Sequence, residues 1–258
     1  MYRKAIEDLK KWKDNGQKKP LMVFGARQVG KTWLLKEFGK TEYKQVAYIM
    51  MSDNSRMRNL FQDNSDAKNI IAGLEAEAGF AFAPNETLII LDEVQEVPKA
   101  ISALKYLYEQ TPQYHIAAAG SLLGVTINDK ISFPVGKINS FYLYPLDFEE
   151  FLMAVKSAKY AQTLNEKNEA NRAAFHDGLN ELLKQYFIVG GMPEAVKNFA
   201  ENKNYFEIRE IQKQIISDYE HDFGKHAAAN MVPRIQMVFD SIPSQLAKEN
   251  KKFLYGVL

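Results

Sequence analysis

The residues best placed to do chemistry are Lys31 and Thr32, at the end of the run G-A-R-Q-V-G-K-T over residues 25 to 32. The spacing G-x-x-x-x-G-K-T is that of a phosphate-cradling loop. Gly25 and Gly30 let the backbone turn tightly and bring its N–H groups against phosphate oxygens. A helix opening near Gly30 would point its positive end at the same anion. The expected cradle is Gly25, Ala26, Arg27, Gln28, Val29 and Gly30, with Lys31, Thr32 and Trp33 at the head of the helix. Lys31 would reach the β- and γ-phosphates, and the Thr32 hydroxyl would ligate Mg²⁺. The ligand class is a nucleoside triphosphate.

A second constellation lies about 60 residues on, in T-L-I-I-L-D-E-V-Q (residues 87–95). Leu88 to Leu91 form a continuous apolar run, suited to a strand buried on both faces. Such a strand ending in Asp92-Glu93 puts two carboxylates at the edge where α/β sheets bind ligands. Asp92 suits the metal, directly or through water. Glu93 suits polarisation of the water that attacks the γ-phosphate. A third element, Y-H-I-A-A-A-G-S-L-L-G (114–124), reads as a further buried strand running to about Ala119, with Gly120-Ser121 following where the chain must leave the sheet. The Ser121 hydroxyl either touches the γ-phosphate or the attacking water, or caps a helix starting at Leu122. His115, inside that strand, reads as a packed or edge residue. With four His and no Cys, no His/Cys metal cluster is visible.

The elements that must position these groups follow from pattern. Residues 1–16 read as a helix with Ile6, Leu9 and Trp12 or Lys13 on one face. Strands are expected at 20–24 and in "QVAYIMM", and a helical stretch over 55–79 with Leu60, Phe61, Ile70, Ile71 and Leu74 inward. "KAISALKYLYEQ" carries Ile101, Leu104, Leu107 and Tyr108 at core-facing spacing. "INSFYLYPL" reads as a strand, with Asp147 capping the helix "FEEFLMAV". Alternating strands and helices argue a parallel α/β sheet. Residues 157–172 are polar and read as a linker or solvated helix. Beyond them the pattern is all-helical, broken by Gly190-Gly191-Met192-Pro193. This region reads as a small lid beside the nucleotide, or as part of a winged-helix module. Met192, Phe187, Tyr205 and Phe206 are expected to fill the core. The domain scheme is thus a core over 1–156, a linker over 157–172 and a helical region over 173–258.

Composition narrows the class. The chain has 258 residues, enough for one large domain and a smaller one, and a net charge of +1, too small to draw it to nucleic acid or membrane. Absence of Cys excludes a disulfide framework, and the charged start "MYRKAIEDLKKWKDNGQ" is no signal peptide. The apolar runs fall short of the roughly 20 residues a membrane span needs. A cytoplasmic protein is expected. Basic residues crowd the first 20 positions, as a solvated helix face or as a patch facing nucleotide or nucleic acid.

With these motifs in hand, the chain resembles a prokaryotic family of AAA-type P-loop ATPases that carry a C-terminal domain of unknown function, nuclease-like in appearance. The resemblance rests on "GARQVGKT", "LIILDEVQEVP", "AAAGSLLG", "FPVGKINSFYLYPLDFEEFL", "YFIVGGMPEAV" and "DYEHDFGKH", in the family's order over residues 18–226. It implies an AAA-like sheet of order 5-1-4-3-2, ATP and Mg²⁺ as ligands, and catalytic roles for Lys31, Glu93 and Ser121. Assembly into a homo-oligomer is compatible with it. Two departures stand out. Lys137 occupies a position where the family usually has Arg; Lys cannot make the planar bidentate contact of an Arg reaching into a neighbour's site. Arg209 and Arg234 are alternative sources of such a cation. The family also continues beyond "KKFLYGVL", so a truncated chain is expected. Rival functional readings are a nucleotide-gated switch with little turnover and a nucleic-acid-associated ATPase.

Overall fold

The computed structural model describes residues 1–15, 18–63, 66–121, 134, 136–165, 173–226 and 230–247. By compactness the chain divides into two units, 1–208 and 209–258.

The first unit is built on five parallel strands: β1 (Leu21–Gly25), β2 (Gln45–Met50), β3 (Thr87–Asp92), β4 (His115–Ser121) and β5 (Asn139–Tyr142). Their spatial order is β2-β3-β4-β1-β5. Read from the other edge this is 5-1-4-3-2, the order the resemblance implies. The three central strands are buried without interruption because both sheet faces are covered. Side chains alternate across the sheet. Leu21, Val23, Leu88, Ile90, Ala117 and Ala119 pack on one face with Leu9, Leu34, Leu35 and Phe38 of α1 (Ala5–Asp14) and α2 (Lys31–Glu42). Met22, Phe24, Ile89, Leu91, Ile116 and Ala118 pack on the other with α3 (Ser55–Asp63), α4 (Ala67–Ala78) and α5 (Pro98–Gln110). The result is a helix–sheet–helix sandwich with two cores.

The expected helix over 55–79 is two helices. Asp66 interrupts it by accepting the backbone N–H of Lys68 at 2.8 Å, which is an N-cap and starts α4 afresh. The inward positions hold: Phe61, Ile70, Ile71 and Leu74 are buried, and Leu60 packs against them. After β5 come α6 (Phe148–Ala154), α7 (Ala158–Asn165), α8 (His176–Val189), α9 (Pro193–Asn202) and α10 (Tyr205–His226). Asp147 caps α6 in a reciprocal capping box with Glu150. Of the expected linker, residues 158–165 form α7 and 166–172 lie outside the described residues.

One core expectation fails. Phe187 and Phe206 are 74% and 86% exposed, and Tyr205 is 42% exposed. The cause is helical phase, because neighbouring residues point about 100° apart. On α8 the inward places belong to Tyr186, which packs on Phe148 and Phe151, and to Val189. At the start of α10, Ile208 takes the inward place. Met192 does pack against the α1–α2 face of the core.

The second unit comprises the rest of α10 and α11 (Val232–Leu246), joined by a Phe223–Phe239 edge contact and by a hydrogen bond from Gln236 to Glu220 at 3.1 Å. No helix among the described residues is long and apolar enough to cross a membrane.

Candidate nucleotide site

The sheet's C-terminal edge gathers the predicted groups. Register pairs Gly25 of β1 with Ser121 of β4, and Asp92 of β3 with Ala119. Asp92 continues the Leu88–Ile90 face, so strand periodicity alone aims it at α2. There the Thr32 hydroxyl donates to Asp92 Oδ2 at 2.7 Å, across 60 residues of sequence. Tyr48 of β2, on the same face, donates its hydroxyl to the same oxygen at 3.0 Å. The other oxygen, Oδ1, accepts the backbone N–H of Glu93 at 3.1 Å. Asp92 is buried, and these bonds give both of its oxygens a partner there.

The loop from Gly25 to Gly30 has the shape its glycines predict. Gly30 adopts φ +92°, a conformation that L side chains rarely take. At Gly25 a Cβ would run into the Leu143 carbonyl, so the backbone of β5's exit lies directly on the loop. Gln28 also takes a positive φ. Val29 is fully buried, Arg27 is half-buried, and Trp33 is exposed. Lys31 lies inside the loop and donates its ammonium to the carbonyls of Gly25 and Ala26, both at 2.9 Å. Burial pulls the Lys31 ammonium below its ordinary pKa; Glu93 and Asp92 oppose that pull, and Arg27 adds to it. The same interactions place both carboxylates within electrostatic reach of Lys31. Burial, and then Asp92, push the Tyr48 phenol above its usual range, which keeps it a donor.

Glu93 follows the strand in the left-handed region, φ +54°. A short 3-10 turn, Val94–Glu96, comes next and buries Gln95. Ser121 is buried at the end of β4. Its part as the cap of a helix from Leu122 lies outside the described residues. His115 is buried at the opposite end of β4, 2.8 Å from the Tyr43 hydroxyl, and takes no part here. Lys137 is held by Glu109 at 2.8 Å.

Three residues at the site escaped sequence reasoning. Tyr48 and Gln95 meet the acidic pair directly or nearly so; only their position in or beside an apolar strand could have pointed to them. Arg3 is the third. It looked like one more basic residue on a solvated helix, yet it is 4% exposed. Its Nε donates to Glu150 at 3.2 Å, Nη1 to the Val29 carbonyl at 3.1 Å and Nη2 to the Tyr144 carbonyl at 2.6 Å. It therefore straps the phosphate loop to the β5–α6 connection. That connection in turn bonds the Gly190-Gly191 turn, through Leu146 N–H to the Gly191 carbonyl at 2.7 Å. Beside the loop, a cavity of about 1,020 Å³ is lined by Tyr2, Gly30, Trp33, Met153, Pro193 and Lys197, among others.

The donor set suits a magnesium nucleotide. Mg²⁺ is commonly held by one or two protein oxygens, with phosphate and water completing the shell. Thr32 and Asp92 offer a hydroxyl and a carboxylate already in contact. No group of three or more His, Cys, Asp or Glu able to hold a metal occurs among the described residues.

A curated relative, an uncharacterised protein of Methanocaldococcus jannaschii, is 24% identical over 206 residues, which cover 74% of this chain and 42% of that protein. The chain thus spans under half the length of that relative. Among solved structures, Drosophila ORC bound to DNA aligns over 97% of this chain and 69% of its own, at 15% identity and a TM-score of 0.47. The replication initiator DnaA bound to AMPPCP and single-stranded DNA aligns over 97% and 72%, at 16% identity and a TM-score of 0.43. A family described as a domain of unknown function matches residues 180–258, and the family described as AAA domain matches residues 17–152. A phosphate loop, a five-stranded parallel sheet of the expected order and a match over more than half its length make the chain a member of the AAA domain family.

Proposed function

We propose that this protein binds MgATP at the C-terminal edge of its sheet and hydrolyses it. The observation that carries the reading is the 2.7 Å bond between Thr32 and Asp92, which joins the two distant motifs on one ligand-sized centre beside Lys31. The N–H groups of the 25–30 loop and the Lys31 ammonium hold the phosphates. Thr32 and Asp92 are the residues that would hold Mg²⁺, which would supply neutralisation of the phosphate charge. Glu93 orients a water for in-line attack on the γ-phosphorus, giving ADP and inorganic phosphate. Ser121 reads the γ-phosphate from the neighbouring strand. The cavity beside Gly30 and Trp33 takes the nucleoside end.

Residues 1–156 form the catalytic core in this reading, and the helical region from 173 onward responds to the nucleotide. Arg3 supplies a route for that response, since it bonds the loop at Val29 and the segment that holds Gly191. Work in the cytoplasm, as a homo-oligomer, fits the reading.

Phosphate release at saturating MgATP tests it. Lys31→Ala and Glu93→Gln should each lower turnover at least a hundredfold, and calorimetry should detect ATP uptake that needs Mg²⁺. Turnover no higher than that of Lys31→Ala would remove the hydrolase reading. A nucleotide-gated switch is then the second reading. It is favoured by Lys137, which is engaged with Glu109. Magnesium-dependent binding without turnover is its signature.

A further inference from the structure

We propose that Gln95 is a positioning residue for hydrolysis, holding the Glu93 carboxylate in place and tying it to the end of β4. The proposal rests on the reading of Glu93 as the group that orients water. Gln95 Nε2 donates to Glu93 Oε2 at 2.5 Å, and Gln95 Oε1 accepts the backbone N–H of Ser121 at 3.3 Å. Only one orientation of the amide satisfies both partners, so the side chain is fixed at both ends. It is also 5% exposed, and a buried amide is costly to leave half-bonded.

Glu93 needs such a partner. Its own backbone is pinned in the left-handed region, with its N–H committed to Asp92. The side chain beyond is half-buried and has three rotatable bonds. A hydrogen bond from Gln95 removes most of that freedom and leaves the second carboxylate oxygen for water. The other end of the amide reaches Ser121, whose strand partner is Gly25 of the phosphate loop. The carboxylate, the strand end and the loop are thereby linked through one neutral side chain. A neutral donor suits the task, because a cation would pair with the carboxylate that must face water.

Two variants separate this role from a merely structural one. Gln95→Met keeps the volume and removes both bonds. Gln95→Glu keeps an acceptor for Ser121 N–H and removes the donor to Glu93. In both, kcat for ATP should fall at least tenfold while Kd for a fluorescent ATP analogue with Mg²⁺ stays within threefold. Neither change should lower kcat further in a Glu93→Gln background. If Gln95→Met fails to fold, Gln95→Glu still decides. Parental kcat in folded Gln95→Glu, with Glu93→Gln inactive, overturns the proposal and leaves the role of Glu93 standing. An equal loss in kcat and in nucleotide affinity also overturns it. Full turnover in Glu93→Gln removes both ideas together.

Discussion

Replacement of Arg3 by Met is the most exacting perturbation this structure offers outside the phosphate loop. Met keeps an apolar stem of similar reach and removes the guanidinium. Arg3 and Glu150 are both buried, and removing one partner of a buried ion pair costs about 3–5 kcal/mol. Glu150 keeps the backbone N–H groups of Lys4 at 2.8 Å and Asp147 at 3.2 Å, which pulls the cost toward the lower end. The carbonyls of Val29 and Tyr144 each lose a donor, at about 1 kcal/mol apiece, which raises it again. A net loss of about 3–5 kcal/mol results, equivalent to a fall in melting temperature of roughly 6–20 °C for a chain of this size. Thermal unfolding followed by circular dichroism reads it directly. The neighbouring Lys4→Ala, whose salt bridges to Asp147 and Glu149 are partly open to solvent, should cost no more than about 1 kcal/mol. The pair Arg3→Met with Glu150→Leu should recover most of the loss, because no charge is left stranded. A fall below about 2 °C in Arg3→Met would show that the strap carries no load, and the reasoning from burial would be refuted.

Other outcomes are expected. Thr32→Val removes the hydroxyl bonded to Asp92 with little change of shape, so the Mg²⁺ concentration needed for ATP binding should rise at least tenfold while the melting temperature moves by only a few degrees; an unaltered magnesium requirement counts against the metal-side role. Gly25→Ala should abolish nucleotide binding, because its methyl group meets the Leu143 carbonyl; normal affinity by calorimetry would contradict the loop packing. His115 is pushed down to about 4, first by burial and then by Lys18 and Lys13. The unfolded chain takes up that proton near pH 6.5, so stability is intact above that value and declines by up to about 3 kcal/mol as pH falls toward 4. His115→Phe should flatten the part of the urea-midpoint profile between pH 6.5 and 4; an unchanged slope would show that another group controls it.

The shape of the loop was legible because it is local. Gly30, Lys31 and Thr32 are contiguous, and the turn into the helix takes a backbone conformation at Gly30 that glycine favours. The strands were legible because double-sided burial demands unbroken apolar runs, as in Leu88–Leu91. Sheet order came from the resemblance and not from pattern. What stayed hidden is non-local or a matter of phase. Arg3 meets Glu150 across 147 residues, and nothing in "MYRKAIEDLKK" sets it apart from Lys4. Gln95 acquires meaning only because β4 ends beside β3. Phe187 and Phe206 misled because an amphipathic pattern says that a face is apolar and not whether anything covers it.

The inward-turned Lys31 ammonium has a consequence for how ligand enters. Its two bonds to the Gly25 and Ala26 carbonyls stitch the turn together from inside. In the proposed function, an arriving triphosphate would not meet an idle cation; it would compete with the protein's own oxygens for it. Recognition would then be an exchange of partners within a turn that is already shaped, with the entropic cost of ordering that turn falling on folding instead of on capture.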